Sequence, residues 1–143
     1  VDIIISGKKY EVKAAQYSKK SGTVYGFKLG GTVPLGDMVT NAVKLKNSLG
    51  LTTSGKGQNE VNKSQIEAIR KRFPREWKQI EDQYANVAFK YFGNTPVIFI
   101  NNNGTSAKLT ADGGEIIAIK QVKKTDIMID TITQGTIKPT VRI

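Results

Sequence analysis

A helix that runs almost directly into a buried strand does most to limit what this chain can become. Pro74 stands at the opening of that helix and Gly93 at its close, and Trp77, Ile80, Tyr84, Val87, Ala88 and Tyr91 recur between them at helical spacing. Proline suits the first helical position because its N–H would be unpaired there anyway, and glycine suits the position just past the end. Shortly afterwards comes P-V-I-F-I-N, residues 96–101, a continuous apolar run of the kind a strand shows when both of its faces are covered. The stripe on the helix reads as core rather than as a stacking platform.

Other elements fall into place around this pair. A helix is expected over residues 36–49, with Asp37 as N-cap and Gly50 beyond its end. Its core stripe is Met38, Val39, Ala42, Val43, Leu45 and Leu49, which leaves Asn41, Lys44, Lys46 and Asn47 on the wet side. Ser64-Gln65-Ile66-Glu67 reads as a capping box opening a short helix to Phe73. Strands are expected at residues 23–29, 107–110 and 115–122, with a closing hairpin of residues 126–133 and 136–143 around Gln134-Gly135. Tyr25 and Phe27 would share one strand face, as would Ile117 and Ile119. Residues 51–62 read as a mobile loop, and the breaker cluster Gly30-Gly31-Thr32-Val33-Pro34 lacks the spacing of a phosphate loop. The order gives an α/β (or α+β) fold: a mixed central sheet with flanking helices and a C-terminal β-meander, in one domain spanning 1–143. Val1 does not read as a natural start, so the domain is expected to be excised from a longer chain.

Composition removes whole classes of chemistry. The sequence has no cysteine and no histidine, which excludes thiolate catalysis, Cys-ligated zinc, Ser-His-Asp triads and two-histidine ribonuclease mechanisms. No run is long and apolar enough to suggest a membrane span or a signal peptide. A formal net charge of +10 favours polyanions through steering and counterion release, which makes nucleic acid the expected partner and an acidic protein the second.

The first strands carry the chemistry. Ile3 to Ile5 end at Ser6-Gly7-Lys8-Lys9, and a second extended run starts at Tyr10. A two-residue turn at Gly7-Lys8 is expected, because glycine reaches positive φ without strain. It would set Ile5 opposite Tyr10, Ile3 opposite Val12 and Asp2 opposite Lys13. Asp2, Glu11 and Lys13 would then share one face. Two carboxylates and a lysine on one patch are the parts of metal-assisted phosphodiester hydrolysis.

An Asp at the start of one strand followed by E-x-K on the next resembles the PD-(D/E)xK nucleases of restriction enzymes, junction resolvases and some bacterial toxins. The resemblance rests on Asp2, the turn, and Glu11-Val12-Lys13. It implies a restriction-endonuclease-like core, Asp2 and Glu11 as ligands of Mg²⁺ or another divalent cation, and Lys13 positioning the nucleophilic water. It also implies DNA in preference to RNA. In outline the small basic domain resembles the C-terminal toxin domain of a larger secreted bacterial effector. Such a domain acts in the cytoplasm and is neutralised by an acidic immunity protein.

Nucleic-acid contacts are expected from Gln16, which follows E-x-K, from Lys19 and Lys20 at a turn, and from Lys28. The densest basic cluster is Arg70, Lys71, Arg72, Arg75 and Lys78, beside a helix N-terminus at Pro74. Glu115, Asp126 and Asp130 read as surface acids, any of which could complete a metal site. Two rival functions stand beside the metal-dependent nuclease: a metal-independent ribonuclease built on Lys, Arg and Tyr, and a non-catalytic basic binding or structural module.

Overall fold

The computed structural model describes residues 3–29, 36–51, 55–101 and 115–143. Its strands are β1 (Ile3–Ile5), β2 (Lys8–Ser18), β3 (Thr23–Tyr25), β4 (Val97–Asn101), β5 (Ile116–Lys120), β6 (Ile127–Thr133) and β7 (Thr136–Arg142). The helices are α1 (Gly36–Ser48), α2 (Lys63–Arg72) and α3 (Pro74–Phe92). All seven strands join one mixed sheet in the order β5-β4-β2-β3-β7-β6, with β1 paired to the start of β2. β2 and β4 run parallel, and every other pair is antiparallel. The mixed α/β class and flanking helices are therefore as expected.

The core lies on one face of the sheet. Ala15, Val24, Val97, Phe99, Ile129 and Val141 meet Trp77, Ile80, Tyr84, Ala88 and Phe92 of α3 there. Pro74 stands at the start of α3, and the Gly93 N–H closes the helix on the Phe89 carbonyl. Burial of so many large apolar side chains, each contributing about 1.5–3 kcal/mol, makes α3 the main fastener of the fold.

The differences from expectation have local causes. The first hairpin turns at Ser6-Gly7, not Gly7-Lys8, so Ile3 faces Tyr10 and Ile5 faces Lys8. Both turn residues have positive φ, 50° and 80°, the pattern of a type I′ turn. The two-residue shift keeps each side chain on its expected face. β3 stops at Tyr25 because Gly26 takes φ +79°, and Phe27 then turns into the core while Tyr25 does not. α2 is capped two residues earlier than Ser64 would place it: the Asn62 side chain accepts from Gln65 N–H, and Gln65 Oε1 accepts from Asn62 N–H. Asp37 lies inside the first turn of α1, which begins at Gly36.

Tyr91 is exposed, and Ala85 and Phe92 take its place in the core. Ile117 packs against the core while Ile119 is exposed, because the β4–β5 register shifts at Phe99/Ile100. The expected C-terminal meander does not form, since β5 pairs with β4 at one edge while β6 and β7 join β3 at the other. The breaker cluster at 30–34 and the strand expected at 107–110 lie outside the described residues.

Lys46 is the largest departure. Expected in solvent, it is wholly buried, and its Nζ donates to the carbonyls of Gly57, Gln58 and Glu60 at 3.2, 3.1 and 2.7 Å. An ammonium with three donors can satisfy three carbonyls at once, which ties the 55–60 segment to α1. Burial pushes the Lys46 pKa down, partly offset by Glu60.

Candidate functional site

β2 is an interior strand, and its alternation sorts the candidate residues between the two sheet faces. Glu11, Lys13 and Ala15 lie on the face that carries Val97 and Phe99, their neighbours being fixed by the parallel register Glu11↔Val97 and Lys13↔Phe99. That is the helix-covered face. The Lys13 ammonium stands 3.8 Å from Glu11 Oε1, and the two side chains are 21% and 29% exposed. Lys13 Nζ also points to the Lys28 carbonyl at 3.5 Å, which places Lys28 beside the pair through its backbone. A half-desolvated ion pair on a core face is a poor source of stability, because lost hydration offsets most of the attraction.

Asp2, the other expected ligand, lies outside the described residues. Among the described residues no three acidic side chains gather closely enough to hold a metal ion. Glu115 is exposed, while Asp126 is occupied by Lys120 at 3.1 Å and by the Lys123 N–H.

The residues expected to contact nucleic acid divide among separate places. Gln16 lies on the face opposite Lys13, where it pairs with Tyr25 across the strands. Its side chain rests on Gly26, where an added Cβ would come within 3.3 Å of Nε2. Lys19 and Lys20 are exposed at the β2–β3 turn, and Lys28 is exposed. In the α2–α3 cluster, Arg70 is held by Glu67 at 3.0 Å and Glu81 at 3.3 Å, and Lys78 by Asp82 at 3.0 Å. Lys71, Arg72 and Arg75 are exposed, with the Arg72 guanidinium 5.9 Å from the Phe73 ring centroid.

A groove of about 860 Å³ was not foreseen from the sequence. Its floor is the sheet face opposite the core, with Thr23, Tyr25, Met128, Thr140 and Arg142, and α2 contributes Lys63 and Arg70 to its wall. Asp130 reaches into it with its side chain 12% exposed. Lys63 Nζ stands 3.6 Å from Asp130 Oδ1 and 4.1 Å from the Tyr25 ring centroid. Burial pushes the Asp130 carboxyl above its ordinary value, and Lys63, Thr140 and Lys138 draw it only partly back. These residues are scattered from 23 to 142, so no local motif announces the groove. The one signal was an acid in an otherwise apolar and β-branched strand, I-M-I-D-T-I-T.

Comparison with models of known protein families, with characterised proteins and with solved structures finds no match. Among the described residues no helix is long and apolar enough to cross a membrane.

Proposed function

We propose that this protein is a metal-dependent nuclease domain of the PD-(D/E)xK kind, acting on nucleic acid with DNA favoured. The observation that carries the reading is the Glu11–Lys13 pair, an acid and an ammonium placed together on the core face of an interior strand. A stability role explains that placement poorly, whereas hydrolysis at a phosphodiester needs both groups. The net charge of +10 supports a polyanionic substrate.

The donor chemistry suits Mg²⁺, which is held by one or two carboxylates together with substrate phosphate, rather than by a closed protein cage. Glu11 is one such donor, and Asp2 is the second that this reading assigns. A bound divalent cation would polarise the phosphate and lower the pKa of a coordinated water. Lys13 contributes separately, by orienting the water through its N–H groups and offsetting charge that develops on the phosphate. The Lys28 carbonyl lies 3.5 Å from the ammonium, a contact too long to hold it firmly. A larger bacterial effector with an acidic immunity partner remains the setting that this charge and size suit best.

The test is cleavage of plasmid DNA and of total RNA by purified protein, with Mg²⁺ or with EDTA. The reading expects cutting in Mg²⁺ alone, lost in Glu11→Gln and in Lys13→Ala. Cutting that ignores EDTA and both substitutions would overturn the assignment, and no cutting at all would favour a non-catalytic binding module.

A further inference from the structure

The groove beneath Lys63 has a chemistry that a plain phosphate trough does not need. It is lined by four cations, Lys20, Lys63, Arg70 and Arg142, and by three carboxylates, Glu67, Glu81 and Asp130. Arg70 is engaged by Glu67 and Glu81, while Lys63 is engaged by Asp130. What remains distinctive is a carboxylate held low in an open groove beside an aromatic ring. Keeping such a carboxylate largely out of water costs stability, which a binding role explains.

Lys63 shows what the place accepts. Its ammonium lies over the Tyr25 ring and against Asp130 together, at 4.1 and 3.6 Å. A flat ring with N–H donors on one edge satisfies both groups at once, stacking on Tyr25 and donating to Asp130. Among the nucleobases guanine alone presents two adjacent donors, N1–H and the exocyclic N2 amine, which match the two oxygens of a carboxylate. An arginine-bearing peptide could offer similar donors, but the net charge of +10 repels it and attracts a polyanion. Lys20 and Arg142 flank the place for neighbouring phosphates, and the hydroxyls of Ser18 and Ser21 lie along the same groove.

We infer that this groove binds single-stranded nucleic acid, with a guanine stacked on Tyr25 and its N1–H and N2 amine donated to Asp130. Lys63 then leaves the ring for a flanking phosphate. The inference rests on the reading of nucleic acid as partner, though not on catalysis by Glu11 and Lys13, which lie on the opposite face of the sheet.

Fluorescence anisotropy in EDTA, with short oligothymidylates carrying one central guanine, hypoxanthine or adenine, tests it. Guanine is expected to bind about tenfold more tightly than adenine, with hypoxanthine between them because it lacks the N2 amine. Asp130→Asn should erase that ranking. Tyr25→Ala should weaken every strand about tenfold, with Tyr25→Phe restoring the affinity. The base ranking belongs to the groove face and should survive Glu11→Gln, whatever that change does to overall affinity, so failure of the nuclease reading would leave this result standing. Equal affinity for the three strands in the unaltered protein would overturn the inference, as would a ranking that survives Asp130→Asn.

Discussion

Lys46 and Lys13 are both drawn out of solvent, on terms that differ. Lys46 gives its donors to the carbonyls of Gly57, Gln58 and Glu60 and is sealed from water. Lys13 has one long contact to the Lys28 carbonyl and a loose approach to Glu11, and it stays a fifth exposed. A saturated ammonium can only hold structure together. A loosely held one keeps capacity for a ligand, at the cost of a charge pair drawn partly out of water beside Val97 and Phe99. Asp130 belongs with Lys13 in this respect, since its burial is only partly compensated.

The contrast breaks or sharpens under substitution, beginning with the largest effect. Glu11→Gln and Lys13→Ala should each lower the cleavage rate by about a hundredfold or more, measured in Mg²⁺, with thermal stability shifted by less than about 1 kcal/mol. Lys46→Met should do the reverse. It strands three carbonyls and should cost about 3 kcal/mol in a denaturant melt while leaving the per-molecule cleavage rate of folded protein intact.

That deficit should vary with pH in a defined direction. The folded pKa of Lys46 lies below 10.5, so the unfolded chain binds more protons once the folded ammonium has titrated. The unaltered protein therefore gains stability over Lys46→Met as pH climbs through the folded pKa towards 10.5, which paired melts across that window would read. Gly26→Ala should cost about 1 kcal/mol in the same melts, because φ is +79° and the new methyl would press on Gln16.

Asp130→Asn should give the smallest change, a slight gain at neutral pH. The folded carboxyl holds its proton to higher pH than the unfolded one, so ionisation costs the folded state stability above its folded pKa. The gain should shrink as pH falls through the folded pKa and vanish below 3.8, where both states are protonated. Melts of both proteins from neutral to acid pH would show it.

Much of the fold could be read from local patterns. Pro74 and Gly93 bracket α3 because their backbone limits act locally, and Val97 to Phe99 are buried as their apolar run implies. The turn at Gln134-Gly135 is local too, with φ of 52° and 75°. The first hairpin escaped by two residues because Ser6 accepts a left-handed conformation that side chains ordinarily avoid. Lys46 escaped because its polarity outweighed its place, four residues after Ala42 and eight after Met38 on the buried stripe. The placement of β5 beside β4, and of β7 beside β3, depends on pairing between distant segments that no local pattern encodes. The same is true of the groove, where Tyr25, Lys63 and Asp130 meet only through that pairing. Glu11 and Lys13 were legible because the strand period of two is enough to set them together.

The claim that this pair is kept for chemistry rather than for stability is most directly tested by the double substitution Glu11→Leu with Lys13→Met. Thermal melting and Mg²⁺-dependent cleavage should be measured on the same preparation. Apolar replacement of a half-buried pair should leave the melting temperature unchanged or raise it by roughly 2–4 °C, while cleavage disappears. A melting temperature lowered by about 5 °C or more, with cleavage retained, would contradict the account and make the pair a structural clamp like Lys46.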